Sequence, residues 1–182
     1  MVNSLAYSQR PDDALVAKWV DTLNVNDAPA RCKGISEAIS FFHQHMPTLP
    51  TSEAESFLRC MDLSKLVTTI RLRPGEILVA YRSLNQNPLR LFYTRKGYAP
   101  QHLGLNLSGK VRKVFRVTTS MPALQSYATA AIDSWSRVEP GQDVVINPHS
   151  NELNTDFGVV TSGGGLQLMC PYAHMNLSCL NP

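Results

Sequence analysis

Through the first third of the chain the apolar residues recur at helical spacing. Leu15, Val16, Trp19, Val20 and Leu23 follow Pro11-Asp12-Asp13, which sets acids at the positive end of a helix dipole. A second helix is predicted from about Ser36 to Met46, on Ile35, Ala38, Ile39, Phe42 and Met46, and Pro47 ends it. Ser52-Glu53-Ala54-Glu55 has the Ser-x-x-Glu form of a capping box and opens a third helix, with Phe57, Leu58 and Met61 on its apolar face.

Beyond Leu66 the pattern changes to short β-rich runs punctuated by Gly and Pro. They are Val67 to Leu72, Glu76 to Tyr81, Leu89 to Thr94, Val111 to Thr118, Asp143 to Ile146, Phe157 to Thr161 and Leu166 to Met169. Pro74-Gly75 marks a turn between the first two. One more helix is predicted from about Pro122 to Trp135, with Ser120 as N-cap and Leu124, Ala128, Ala131 and Trp135 on one stripe. The class is therefore α+β: N-terminal helices followed by a mainly antiparallel sheet. A helical lead segment, residues 1–66, is expected to pack on a β-rich core, residues 67–182, within one compact domain.

Composition narrows the field. With 182 residues, 43% of them hydrophobic, the chain can bury a sizeable core. No run approaches the roughly 18 apolar residues of a membrane helix, so no membrane role is expected. Met1 to Asp13 lacks the basic start and apolar stretch of a secretory signal, so export would use another route. Cys32, Cys60, Cys170 and Cys179 form no Cys-x-x-Cys pair, which argues against zinc and for reduced thiols acting in a cytosol. Cys170, His174 and Cys179 are metal-like in composition but not in spacing, so no metal is expected; His43 and His45, two apart on a helix, point to different sides.

Charge is unevenly spread. Arg71 to Arg116 holds ten Lys or Arg against one acid, Glu76, a local balance of +9 that leaves −6 for the rest of a chain whose formal net charge is +3. A positive middle on an acidic frame favours an anionic ligand: a nucleotide, a dinucleotide or nucleic acid.

Four segments carry candidate chemistry. The buried-type strand Ile77-Leu78-Val79-Ala80-Tyr81-Arg82-Ser83 ends in an arginine whose planar fork suits bidentate phosphate binding. In Leu91-Phe92-Tyr93-Thr94-Arg95-Lys96-Gly97-Tyr98, Tyr93 or Tyr98 would stack on a flat ring while Arg95 or Lys96 meets phosphate charge. Val114 to Val117 runs into Thr118-Thr119-Ser120, three hydroxyls suited to positioning a ribose, or to capping a helix. Gly163-Gly164-Gly165 precedes a strand in which Gln167 faces away from Leu166 and Leu168; the glycines fit either close approach of a ligand or a hairpin turn.

A strand ending in Tyr81-Arg82, a strand ending in Thr118-Thr119-Ser120 and a late strand carrying Gln167 resemble the arginine, Ser-Thr-Ser and glutamate class of the ADP-ribosyltransferase superfamily. That resemblance implies a split sheet that binds NAD as substrate. Arg82 would hold phosphate and ribose beside Tyr81, Thr118 and Thr119 would stand in the hydroxyl motif with Ser120 as a catalytic member, and Tyr93 or Tyr98 would cover nicotinamide. Leu91 to Gly97, Ser134-Trp135 and Phe157 through Gln167 to Pro171 are also similar to a family of bacterial polymorphic-toxin tail domains, over about Leu63 to Pro171. The superfamily's Glu-x-Glu or Gln-x-Glu pair is absent. Gln167 stands in its place as the implied catalytic residue, its side chain expected to line the cleft with Arg82, and Glu139, Asp143 and Glu152 are the substitute acids.

These resemblances imply a secreted effector, delivered by a specialised system without a signal peptide, that acts in the target-cell cytoplasm. It would transfer ADP-ribose from NAD to a macromolecular acceptor or hydrolyse NAD, and a cognate immunity protein is the expected partner. Two other readings stay open. One is an RNase toxin using the basic 71–116 region, with His102 or His149 as general base. The other is a catalytically inactive ADP-ribosyltransferase-like binding module.

Overall fold

The computed structural model describes residues 28–83, 90–105, 110–129, 131–132, 160–161 and 163–181. The predicted first helix at Leu15 to Leu23, the Asp143 to Ile146 strand and most of the Phe157 to Thr161 strand lie outside them. Helix α1 (Ala28–His45) carries the second predicted helix and starts earlier than expected. Helix α2 (Thr51–Arg59) begins one residue before the predicted capping Ser52. Its N-cap is Pro50, whose carbonyl accepts from the N–H groups of Glu53 and Ala54 at 3.0 Å each, and no side chain caps it. Glu55, freed from the capping box, pairs with Arg59 one turn on at 2.7 Å.

The sheets are built from one two-stranded ribbon bent in the middle. Strand β1 (Thr68–Leu72) pairs antiparallel with β5 (Met121–Tyr127), while β2 (Ile77–Ser83) pairs antiparallel with β4 (Lys110–Val117). Both strands of the ribbon cross between sheets at the same place, through 73–76 on one side and 118–120 on the other. Gly75, at φ 92°, makes the tight turn that lets its N–H reach the Val117 carbonyl at 2.8 Å. Ser120 Oγ donates to the Leu72 carbonyl at 3.0 Å and ties the two corners together.

The half-ribbons recruit different partners. Strands β3 (Phe92–Tyr93) and β8 (Leu166–Met169) complete a four-stranded sheet in the order β1-β5-β8-β3. A short helix α3 (Ala173–Asn176) leads into β9 (Leu177–Cys179), which completes a three-stranded sheet in the order β2-β4-β9. A two-residue pair, β6 (Ala131–Ile132) with β7 (Val160–Thr161), stands apart.

Two apolar cores lie on opposite faces of the four-stranded sheet. Ile35, Ile39, Phe41, Phe42 and Leu58 from the helices meet Leu124 and Met169 on one face. Leu72, Met121, Ala123, Tyr93 and Leu168 meet Leu78, Phe115, Val117 and Leu177 of the other sheet on the opposite face. The layers therefore run helices, four strands, three strands, an α+β arrangement as expected.

The helix predicted from Pro122 to Trp135 does not form. Strand β5 takes its first half, and Ser120 caps no helix. The cause is burial on both faces: Met121 and Ala123 face the inter-sheet core while Leu124 faces the helices. A strand covered on both sides loses the alternation that identifies a half-exposed one.

Candidate functional site

The two main sheets touch along their backbones at one point beside β3. Val79 and Thr94 exchange two N–H···O bonds of 2.8 Å each, an isolated antiparallel bridge. On one side of that bridge β2 continues along β4 while β3 turns to pair with β8, so the sheet splits. Thr94 is fully buried there, and its Oγ1 donates to the Leu166 carbonyl at 2.5 Å.

Arg82 lies at this split. Its residue is only 7% exposed, its Nη2 donates to the Phe92 carbonyl at 2.6 Å, and its Nη1 donates to the Tyr81 carbonyl at 3.3 Å. The guanidinium stacks 5.2 Å from the centre of the Tyr93 ring. Tyr93 in turn meets Phe115 edge-on at 5.1 Å. The Tyr93 hydroxyl is buried, with the Arg82 guanidinium and the Arg90 backbone beside it. Burial pushes its ionisation up to about 12, against the pull of the nearby Arg82 charge. Cys170 completes the cluster: burial pushes its thiol up to about 12 as well, again opposed by Arg82. An arginine held against two buried groups that resist ionising forms a positive, low-dielectric patch at the split, the setting in which a charge-assisted bond to an anion is strongest.

The other expected site residues fall elsewhere. Tyr81 is on the face of β2 opposite Arg82, and its hydroxyl donates to the Tyr98 carbonyl at 3.0 Å, pinning the 95–105 segment to the strand. Thr118, Thr119 and Ser120 sit at the sheet corner. Arg82 is paired with Val111 at the far end of β4, so at about 3.3 Å per residue the hydroxyl motif lies roughly 23 Å along the strand from it. The structure does not bring these hydroxyls to the arginine.

Gln167 shares the helix-covered face with Ser126, whereas its neighbour Leu168 is paired with Gln125 and Tyr93 on the other face. The expectation that its side chain lines the cleft with Arg82 is therefore corrected. Its Nε2 donates to the Cys60 carbonyl at 3.0 Å and to Ser126 Oγ at 3.1 Å, so its amide clamps β8 to β5 and to the end of α2. The glycine triplet is likewise filled. A Cβ on Gly165 would lie 2.6 Å from the His102 carbonyl oxygen, and the Gly165 N–H donates to that oxygen at 2.7 Å. The close approach it permits is to the chain's own backbone. His102 itself is exposed, and His149 lies outside the described residues.

Cys170 beside Arg82 is the member of the cluster that sequence reasoning assigned no role there; its position one residue past a buried strand was the available signal. Cys60, Cys170 and Cys179 are free thiols. Among the described residues no three His, Cys, Asp or Glu side chains come together as a metal-holding group, and no helix is long and apolar enough to cross a membrane.

The chain matches no family model and no curated protein. Among solved structures it is similar to that of Tse6 in complex with Tsi6, with a TM-score of 0.62 and 22% identity over 86% of this chain and 100% of that one. A second similar structure is Rhs1-CT in complex with cognate immunity protein RhsI1, with a TM-score of 0.38 and 17% identity over 65% of this chain and 80% of that one. The first likeness establishes a shared fold that takes in most of this chain.

Proposed function

We propose that this chain is the toxic domain of a bacterial effector that consumes NAD. The observation that carries the reading is the Arg82–Tyr93 stack at the point where the sheets part. The fold shared with Tse6, seen bound to Tsi6, supports it, as does the resemblance of the sequence to polymorphic-toxin tails. In the reaction the bond between ribose C1′ and nicotinamide breaks, neutral nicotinamide leaves with the bonding pair, and an acceptor oxygen or nitrogen attacks the cationic sugar and loses its proton. Arg82 holds the pyrophosphate, and the Tyr93 ring and hydroxyl line the nicotinamide end. The acceptor is water or a macromolecule. A cognate immunity protein binds the domain and silences it.

The carboxylate that steadies the sugar cation is assigned to the acids beyond β6. Among the described residues Glu37 accepts from the Thr69 N–H, Glu53 is exposed in the first turn of α2, Glu55 pairs with Arg59, Asp62 with Lys65, and Glu76 with Arg95. Glu139, Asp143 and Glu152 are the candidates to test.

Incubating the purified protein with adenine-labelled NAD and a lysate tests the proposal. Loss of NAD with free labelled ADP-ribose indicates hydrolysis, and label on protein or nucleic acid indicates transfer. Both should fail in Arg82→Ala. Intact NAD with fragmented RNA would replace this reading with the nuclease, and intact NAD and intact RNA would leave the inactive binding module.

A further inference from the structure

At the C-terminal end of α1, two pairs of polar side chains from four segments lie along one border of the helix–sheet interface. His45 Nδ1 lies 3.3 Å from the Tyr172 hydroxyl, and its ring packs on Phe41 at 4.7 Å and on Tyr172 at 5.8 Å. Arg71 Nη1 donates to Ser120 Oγ at 3.4 Å. Arg71 is paired with Pro122, which shares its face of β5 with Leu124, and Leu124 packs against the helices; the guanidinium is therefore on the same side of the sheet as His45.

Among the described residues no carboxylate pairs with this group. Among the described residues the ion pairs are Arg59–Glu55, Lys65–Asp62 and Arg95–Glu76. Glu37, the acid of α1 that reaches β1, is bound to the Thr69 N–H at 2.9 Å. Ser120 spends its hydroxyl hydrogen on the Leu72 carbonyl and takes one long bond from Arg71, so the rest of the arginine fork meets no partner among the described residues. Burial, and then the Arg71 charge, hold His45 below the ordinary imidazole range.

We propose that Arg71, His45 and Tyr172, beside Ser120, form a binding notch for a phosphate-type oxyanion, taken as the free ion or as the terminal phosphate of a small monoester. The fork offers two parallel N–H donors to such an ion. When His45 is protonated its Nδ1–H donates to the Tyr172 oxygen and frees the phenolic hydrogen to donate to the anion, so proton and anion bind together. Arg71 and His45 are on the opposite face of the four-stranded sheet from the Arg82–Tyr93 stack, with Tyr172 reaching them from the border where it also packs on the inter-sheet core, and the existence of the notch does not depend on the NAD reading.

The test follows the histidine rings by NMR through a pH titration of the full chain, in sodium chloride and in inorganic phosphate or AMP at matched ionic strength. Phosphate should raise the His45 midpoint by about one pH unit over chloride, a tenfold tighter hold on the protonated form. His43, exposed on the same helix two residues away, should move much less. A matching shift with AMP assigns a monoester, and a shift with phosphate alone assigns the free ion. Arg71→Met, at an exposed position, should abolish the effect with the melting temperature retained, and Tyr172→Phe should weaken it. If His45 moves no more than His43 does, or if Arg71→Met keeps the shift, the notch binds no oxyanion.

Discussion

At the scale of single residues, Arg82 shows how a functional side chain comes to be part of the fold. A strand-end arginine suggests a surface group whose removal costs little. Here the residue is buried and braces the backbone of the neighbouring strand at the Phe92 carbonyl. Arg82→Ala should therefore lose activity on NAD and also lower unfolding free energy by about 1.5–3 kcal/mol, the range for a hydrogen bond to a charged group. Urea denaturation of the variant measures this, and unchanged stability would mean that the Phe92 contact contributes nothing. Gln167 carries the opposite lesson. Its amide gives its donors to Cys60 and Ser126, so Gln167→Ala should cost about 1–3 kcal/mol by removing both bonds at about 0.5–1.5 kcal/mol each, although the Cys60 carbonyl keeps its bond from the Thr129 N–H. Gln167→Glu should cost at least as much, because it brings a carboxylate against the Cys60 carbonyl oxygen. A stable and more active Gln167→Glu would instead mean that the side chain reaches the reacting sugar.

At the scale of elements, the glycine triplet is where sequence and structure part most clearly. Three glycines before a strand read equally well as a ligand cradle or as a turn. Gly163 and Gly164 take φ of 64° and 79°, and Gly165 lets the His102 backbone come within hydrogen-bonding distance. Gly165→Ala would push a methyl group to 2.6 Å from a carbonyl oxygen that cannot swing away as a side chain can. A loss of about 1–3 kcal/mol is expected, seen as a lower melting temperature, while wild-type stability in that variant would show that the 100–103 turn yields easily. Elements with a one-sided environment were legible. The apolar spacing at Ile35, Ala38, Ile39 and Phe42 reports α1 because only one stripe of that helix is buried, and Leu166 to Met169 is bounded by glycine and proline. Strand β5 was illegible because Met121, Ala123 and Leu124 are buried on two faces. Strand β9 has three residues, too few for any period to register. At the candidate site residue type singles out Arg82 and Tyr93, which the structure stacks, but the burial of Arg82 was not legible from its place at a strand end. Nor was the distance of Thr118 to Ser120 from Arg82, since it depends on β4 running past β2 before the chain turns the corner.

At the scale of the whole molecule, the four-stranded sheet is the shared wall of two cores. Phe41 belongs to the helix-facing core and Phe115 to the inter-sheet core, and both are almost fully buried. Strands β5 and β8 contribute side chains to both, through Leu124 and Met169 on one face and Ala123 and Leu168 on the other. Loss of order in either core removes support from the same strands, so neither core should melt by itself. Phe41→Ala and Phe115→Ala are each expected to cost about 3–5 kcal/mol, the range for emptying a buried aromatic site. Each should shift a single urea transition to lower midpoint with the slope unchanged, followed in parallel by far-ultraviolet circular dichroism and by the near-ultraviolet signal of the packed tyrosines such as Tyr93. Two separated transitions in the Phe41→Ala variant, with the sheet signal outlasting the helical one, would show that the β-rich layers stand without their helices. In that event the expected division near residue 66 would mark a boundary of cooperativity as well as a change of pattern along the chain.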